Sequence, residues 1–257
     1  MNWFDTIVLG IVQGATEFLP VSSSAHLVLG QHILNLKSAG LDLEVVLHLG
    51  TLLSVLIYFR DDILALITGL FKGGEQGRSV RGEIGLLIVA TVPAVIVALT
   101  LDDVIEAAFD DVQLVGVALL VTTVTLASSR LIKGTGSNLI GWRLALLIGL
   151  AQACAIFPGI SRSGATIVAG LWLGLSADRA ARWSFLMAIP AIVGAGLFTL
   201  LDLEGMAIAP FYLIIGFTAS AATGYLVIGW LMNILRKGQL HYFGAYTLLV
   251  GLIIIFH

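Results

Sequence analysis

The sequence has few charged residues and a single cysteine. Of its 257 residues, 11% are charged and 58% are hydrophobic, and the mean hydropathy is +1.03. This composition excludes an ordinary soluble domain and predicts an all-α integral membrane protein. Because Cys154 is alone, an intrachain disulfide and a thiolate metal cluster are both excluded. A net charge of −3 offers no broad basic surface, so nucleic acid is not an expected partner.

Six apolar stretches are long enough to cross a bilayer, since a helix needs about 20 residues to span about 30 Å of hydrocarbon. The segment 73–77 contains three glycines and is predicted to be a loose linker. Two broken helix pairs, each too short to span as separate helices, are predicted near 4–36 and 140–175. The six predicted spans lie near 42–60, 83–101, 112–131, 178–200, 210–235 and 241–256.

The two broken pairs are copies of each other. Gly10 to Gly30 aligns without a gap with Gly149 to Ala169. This self-similarity predicts an internal duplication. The matched positions include Gln13 with Gln152, Phe18 with Phe157, Ser22 with Ser161 and Ser24 with Ser163.

The duplication defines the predicted architecture. We expect a single membrane domain over 1–257, with internal repeats at approximately 1–135 and 140–257. If each repeat holds one re-entrant helix pair and three full transmembrane helices, the odd number of crossings places the second copy upside down. The predicted fold is therefore an inverted-topology repeat with six full transmembrane helices and two re-entrant pairs.

The charges between the spans predict the orientation. Basic residues concentrate in alternate loops and acidic residues in the others, so by the positive-inside rule the basic loops are cytoplasmic. Both termini are then expected outside the cytoplasm. The basic residues are Arg60, Lys72, Arg78, Arg81, Arg130, Lys133, Arg143, Arg236 and Lys237. The acidic residues are Asp102, Asp103, Glu106, Asp110, Asp111, Asp202 and Glu204.

The first broken pair carries polar groups that lipid does not solvate. Gln13 and Glu17 are four residues apart and share one helix face. Pro20 is expected to end that helix, and Ser22 is a suitable N-cap for a second helix. Intramembrane polar groups of this kind predict a functional site.

The returning half of this pair places hydroxyls near an imidazole. His26 follows Ser23 by three residues and Ser22 by four, so either hydroxyl can lie beside its ring. Such an arrangement suits a nucleophile with its base, or an imidazole that activates water directly. The nucleophile therefore stays open between Ser23, His26 and water.

The second broken pair has diverged at two of these positions. It carries Ile156 in place of Glu17 and Arg162 in place of Ser23. Both breaks are expected near the bilayer midplane, where two helix N-termini converge and favour an anion. The guanidinium of Arg162 suits phosphate oxygens. The predicted ligand is thus a phosphate or diphosphate held inside the membrane.

Glu17 needs a compensating charge, because it lies near the C-terminal end of its half-helix. A divalent cation that bridges Glu17 and the neutral ligand Gln13 to phosphate oxygens would provide it. Direct pairing of Glu17 with Arg162 is the structural alternative. Both interpretations remain open from the sequence.

Two motifs resemble those of the undecaprenyl pyrophosphate phosphatases of the bacitracin-resistance type. Segment 13–26, Gln-Gly-Ala-Thr-Glu-Phe-Leu-Pro-Val-Ser-Ser-Ser-Ala-His, is similar to the family's Glu/Gln-x-x-x-Glu motif with trailing serines and a histidine. Segment 158–166 is similar to its Pro-Gly-x-Ser-Arg-Ser-x-x-Thr motif. The resemblance covers essentially the whole chain. Gln13 stands where the family often has glutamate, and Ala25 stands where glycine is common.

The resemblance implies hydrolysis of undecaprenyl diphosphate to undecaprenyl phosphate and inorganic phosphate in the bacterial inner membrane. This recycles the lipid carrier for cell-wall synthesis and confers bacitracin resistance, with Mg²⁺ or Ca²⁺ as cofactor. The implied partners are the polyprenyl diphosphate lipid and membrane lipids. The implied site residues are Glu17, Ser23, His26 and Arg162 for catalysis, Ser22, Ser161, Ser163 and Thr166 for substrate binding, and Glu17 with Gln13 for the metal.

A transporter or flippase of a phosphorylated polyprenyl lipid is the alternative function. Inverted repeats with broken helices are also the architecture of many secondary transporters. The full set of serine, histidine and arginine facing an acid favours the enzyme, since a carrier would not need all of it.

Other polar and small residues within the spans have structural interpretations. The face formed by Glu44, His48, Thr51 and Ser54 either borders the cavity or forms hydrogen bonds across helices. Small residues such as those at 194–196 permit close helix packing within one chain or between two copies in a homodimer.

Overall fold

The structure, a computed structural model, describes residues 2–34, 36, 41–132, 136–202 and 208–256. These residues contain no β-strand beyond one isolated bridge between Ser137 and Leu175. They form the helices α1 (Trp3–Thr16), α2 (Ser23–Ile33), α3 (Leu41–Tyr58), α4 (Arg60–Leu70), α5 (Gly74–Thr100), α6 (Asp102–Asp110), α7 (Val112–Ser128), α8 (Trp142–Cys154), α9 (Arg162–Trp172), α10 (Ala177–Asp202), α11 (Pro210–Arg236) and α12 (Tyr242–Phe256). The predicted all-α class is confirmed.

Four of these helices, α5, α7, α10 and α11, are long and apolar enough to cross a membrane. Helices α3 and α4 meet the same criterion only together, and they are bent by 77° at the break between them. Helices α8 and α12 are apolar but shorter. The described residues therefore contain four candidate spans, or five with the bent pair.

Two helices and one helix start lie where the sequence predicted loops. Helices α4 and α6 were not predicted, and Gly74–Gly77 forms the first turn of α5 instead of a loose linker. Arg81 explains the ordered turn, because its Nη1 donates to the carbonyl oxygens of Lys72 at 3.1 Å and Leu70 at 3.3 Å. These bonds satisfy carbonyls at the end of α4 and in the connection that follows it.

The broken pairs form two helical hairpins, the first from α1 and α2 and the second from α8 and α9. Each first helix packs closely on a long helix of the other half. A Cβ atom on Gly10 would lie 2.7 Å from the carbonyl oxygen of Gly216 in α11, and one on Gly149 would lie 2.4 Å from that of Ala90 in α5. Only glycine allows such close approach. Gly10 and Gly149 are matched positions in the two hairpins, so the packing is the same in both.

An aromatic cluster fixes the turn of the first hairpin. Phe18, in that turn, packs edge-to-face on Phe185 of α10, with ring centroids 5.6 Å apart. Both rings are fully buried, as is the neighbouring Trp183. Since Phe18 follows Glu17 directly, this packing holds the turn that carries the acidic side chain.

Candidate active site at the hairpin tips

The turn of the first hairpin ends where the sequence predicts, but it begins earlier, because α1 stops before its expected end at Pro20. Helix α1 ends at Thr16 with Glu17 as its C-cap, and α2 begins after the N-cap Ser22. Ser22 has φ 70°, the only positive φ at a non-glycine position in the described ranges. Its hydroxyl bonds to that of Ser24 at 3.0 Å and makes no capping bond to the helix. The turn is therefore in a sparsely populated backbone conformation, a feature that is frequent at functional sites.

The turn of the second hairpin is held by conventional hydrogen bonds. Ser161 caps α9, with its Oγ accepting from the backbone N–H of Gly164 at 3.1 Å. Thr122 of α7 accepts from the Ser161 N–H at 3.0 Å and donates to the carbonyl of Gly159 at 2.8 Å. Helix α7 thus fixes the backbone from which Arg162 projects.

The two tips contact each other directly. Arg162 forms an ion pair with Glu17, its Nη2 donating to Oε1. Ser163 Oγ donates to the carbonyl oxygen of Leu19 at 3.2 Å. The Gly159 N–H donates to Ser24 Oγ at 3.4 Å. These contacts confirm the predicted meeting of the two turns. Arg162 pairs with Glu17 in this structure, and the divalent cation stays a prediction.

Glu17 is the centre of the hydrogen-bond network at the tips and is only 8% exposed. Its Oε2 accepts from Ser23 Oγ at 2.7 Å and from Gln13 Nε2 at 3.1 Å. His48 Nε2 lies 3.7 Å from the same oxygen. Together with Arg162 on Oε1, these groups surround a buried carboxylate with donors and positive charge, which burial of an acid requires.

Two buried polar atoms beside Glu17 have no hydrogen-bond partner among the described residues. They are Nη1 of Arg162, a donor, and Oε1 of Gln13, an acceptor. Leaving such atoms buried and unpaired is unfavourable by about 1–3 kcal/mol each. A phosphate oxygen matches the guanidinium N–H, and a hard divalent cation matches the amide oxygen.

The imidazole of His26 is engaged by groups other than the two predicted hydroxyls. Its Nδ1 lies 2.8 Å from the carbonyl oxygen of Ser22, and its Nε2 lies 2.7 Å from the hydroxyl of Tyr246. The Ser23 hydroxyl donates to Glu17, since a carboxylate is the stronger acceptor. The predicted pairing of a serine hydroxyl with His26 is therefore wrong for this arrangement of the site, because the carbonyl one helical turn back occupies Nδ1.

Three residues predicted to bind substrate lie inside the second hairpin. Ser161 and Ser163 bond to each other through their hydroxyls at 3.2 Å. Thr166 donates to the carbonyl of Arg162 at 2.8 Å and bonds to Ser184 at 2.6 Å. All three predicted residues are fully buried. They hold the first turn of α9, and a direct role in substrate binding stays a prediction.

One face of α3 borders the hairpin tips. Part of this face lies beside the site, and part forms hydrogen bonds across helices, so both predicted interpretations apply. His48 approaches Glu17, whereas Ser54 bonds across helices to the carbonyl of Ala221 at 2.8 Å.

Tyr246 and Thr122 were missed by sequence reasoning. Each lies in a largely apolar helix, and no motif or spacing indicates its contacts.

Comparison with known proteins identifies the family of the chain. The family model of the bacitracin resistance protein BacA matches residues 6–253. The undecaprenyl-diphosphatase of Halothermothrix orenii is 42% identical over 260 residues, which cover 99% of this chain and 98% of the relative. Undecaprenyl-diphosphatase 2 of Bacillus thuringiensis is 38% identical over 257 residues, which cover 96% of this chain and 94% of the relative. The chain therefore belongs to the family of the bacitracin resistance protein BacA.

Proposed function

We propose that this chain hydrolyses undecaprenyl diphosphate to undecaprenyl phosphate and inorganic phosphate. This reaction recycles the lipid carrier for cell-wall synthesis and confers bacitracin resistance. The observation that carries the proposal is the guanidinium of Arg162, which Glu17 holds through Nη2 while the buried Nη1 has no partner among the described residues. An oriented, desolvated guanidinium of this kind suits a phosphate oxygen. The names of the similar proteins supply the substrate.

The reaction adds the elements of water across the phosphoanhydride. A bond forms between an attacking oxygen and the terminal phosphorus, and the bond from that phosphorus to the bridging oxygen breaks. The bridging oxygen leaves with the lipid monophosphate. Little further chemistry is required of the protein beyond positioning and charge stabilisation, which Arg162 and the two helix N-termini at the tips would supply.

The nearest proton acceptor for the Ser23 hydroxyl is Glu17, at 2.7 Å. If Ser23 attacks, Glu17 is therefore the group placed to take its proton, and the phosphoserine is then hydrolysed by water. If water attacks directly, His26 contributes through Nε2, since Nδ1 is engaged by the Ser22 carbonyl, and the attacking water then takes the place of the Tyr246 hydroxyl at Nε2. A trapped phosphoserine at Ser23, identified by mass spectrometry, would select the first route.

Gln13 and Glu17 fit a divalent cation such as Mg²⁺ or Ca²⁺. The carboxylate of Glu17 would hold it, and Oε1 of Gln13 would join when the amide, whose Nε2 donates to Glu17 in this structure, turns its oxygen toward the cation. Within the described ranges no three His, Cys, Asp or Glu side chains form a metal-binding group. The remaining ligands would thus be substrate phosphates and water, as is usual for magnesium. When bound, the cation would neutralise charge on the phosphate oxygens.

The fine topology is part of the same proposal. We infer six full crossings and two re-entrant hairpins in an inverted repeat, with both termini outside the cytoplasm of a bacterial inner membrane. The matched packing of Gly10 on α11 and Gly149 on α5 supports the repeat. The basic loops support the orientation.

Release of phosphate from undecaprenyl diphosphate by purified protein in detergent tests the function. We expect release that depends on Mg²⁺ or Ca²⁺ and is lost in Arg162→Ala. Arg179→Ala is the matched control, because Arg179 pairs with Glu83 at 2.7 Å and not with Glu17. Protein that binds the lipid and releases no phosphate would contradict hydrolysis and favour the transporter.

A further inference from the structure

We infer that Tyr246 is a positioning residue for His26, an inference that rests on the proposed hydrolysis. Tyr246 lies on α12, far from the hairpins in sequence. Its hydroxyl oxygen is 2.7 Å from His26 Nε2. The two rings also stack, with centroids 5.6 Å apart and planes 15° apart. Both edge and face of the imidazole are therefore in contact with this tyrosine.

The hydrogen bonds of His26 determine which nitrogen is basic. The carbonyl oxygen of Ser22 can only accept, so Nδ1, at 2.8 Å from it, carries the hydrogen. In the neutral ring Nε2 is then the acceptor, and the Tyr246 hydroxyl donates to it. His26 thus has one basic nitrogen, Nε2, and Tyr246 is the residue that forms a hydrogen bond to it.

Helix α7 connects Tyr246 to the second hairpin. Thr123 of α7 bonds to Thr247 of α12 at 2.8 Å through the hydroxyls, and Thr247 is fully buried. The adjacent residue Thr122 holds the turn that carries Arg162. One helix therefore fixes the backbone beside Tyr246 and the backbone beside Arg162.

The first hairpin packs on the same two helices. Ala25, which precedes His26, lies in an apolar cluster with Val115 and Leu119 of α7 and Ile254 of α12. The stacked ring pair therefore spans a packed junction of α2, α7 and α12. Tyr246 orients the imidazole within this junction, and the attacking water replaces its hydroxyl at Nε2 when substrate is bound, because that nitrogen has only one lone pair.

Replacement of the hydroxyl alone tests the role. Tyr246→Phe keeps the stacked ring and removes the bond to Nε2. We expect kcat to fall about three- to tenfold, the worth of one neutral hydrogen bond, with KM unchanged because Arg162 is untouched. Tyr242→Phe is the matched control, since Tyr242 lies one turn earlier on α12 and is 64% exposed. The control should keep the wild-type kcat.

A second comparison separates positioning from a general structural effect. In a His26→Ala background, Tyr246→Phe should lower kcat no further. If Tyr246→Phe matches the control, or lowers kcat by the same factor with and without His26, the inference is overturned.

A spectroscopic measurement tests the hydrogen bond between Tyr246 and His26 without the need for turnover. In protein with ¹⁵N-labelled histidine, the resonances of His26 are identified by their loss in His26→Ala. Tyr246→Phe should shift the Nε2 resonance of His26, and Tyr242→Phe should not. An unchanged Nε2 resonance in Tyr246→Phe would overturn the inference. A wild-type protein that releases no phosphate would count against the proposed function instead, and this spectrum would still decide the role of Tyr246.

Discussion

The two hairpins have the same backbone plan and opposite chemistry at their turns. In the first, the Gln13 amide donates to Glu17 at 3.1 Å. In the second, Ile156 stands at the matched position, and both amide atoms of Gln152 lack a partner among the described residues. Arg162 stands where the first hairpin has Ser23, and Ala165 stands where it has His26. These three differences, at the positions of the acid, the serine and the imidazole, make the site at the two tips asymmetric.

The backbones of the turns differ in a related way. Ser22 adopts φ 70° without a capping bond, whereas Ser161 adopts φ −74° and caps its helix. Gly159 takes the positive φ in the second turn, where a side chain is not needed. The strained residue lies in the hairpin with the acid and the imidazole, and the regular turn supports the guanidinium.

The largest effect is expected from Arg162→Ala. Phosphate release should fall about a thousandfold or more, since arginines at phosphoryl-transfer sites contribute on this scale. The variant should also lose about 3–5 kcal/mol of stability, because the buried Glu17 loses its cation. Phosphate release and thermal unfolding in detergent measure the two effects.

The double variant Glu17→Gln/Arg162→Ala is the control for stability. It should recover much of the lost stability, because no buried charge is left unpaired, and it should stay inactive. Recovery of turnover in the double variant would show that the ion pair is only structural.

A smaller effect is expected when an acid is introduced into the second hairpin at Ile156. Ile156 precedes Arg162 by six residues, as Glu17 precedes Ser23, and Ser23 Oγ lies within 2.7 Å of Glu17. A carboxylate in Ile156→Glu can thus compete for Arg162. We expect kcat/KM to fall about tenfold, the lower range for a hydrogen bond to a charged group. Ile156→Gln is similar in size and uncharged, and an equal fall in both variants would contradict competition for charge.

Most of the site's partners follow from the sequence, because they lie on local turns with short-range rules. The four-residue spacing of Gln13 and Glu17, the start of α2 after Ser22 and the duplicated turn all predict positions that the structure reproduces. The pairing of Arg162 with Glu17 follows from charge, since a buried acid needs a cation.

The unpredicted contacts depend on helices that are distant in sequence. Tyr246 and Thr122 reach the hairpins only because α7 and α12 pack beside them. The partner of His26 was mispredicted for a different reason. Spacing alone places both the hydroxyl and the carbonyl of Ser22 near the ring, and in the structure the carbonyl is the group that contacts Nδ1.

Replacement of the two matched glutamines, Gln13 and Gln152, should have different effects. Gln13→Leu removes the amide oxygen beside Glu17, so the Mg²⁺ concentration for half-maximal phosphate release should rise about tenfold, by the loss of one ligand. Gln152→Leu removes a buried amide that has no partner in the described structure and should add about 1 kcal/mol of stability with unchanged turnover. If both variants require the same higher Mg²⁺ concentration, Gln152 belongs to the site and the two hairpins are less different than we propose.

The smallest effects are expected at the two N-cap serines, measured as thermal stability in detergent. Ser161→Ala removes the capping bond to Gly164 and should lower stability by about 1 kcal/mol. Ser22→Gly relieves a positive φ but adds freedom to the unfolded chain, so its stability should stay within about 0.5 kcal/mol of the wild type, since no cap is lost. Equal destabilisation by both changes would mean that side-chain contacts of Ser22 hold its turn. The strain would then be a consequence of those contacts and not a property of the turn itself.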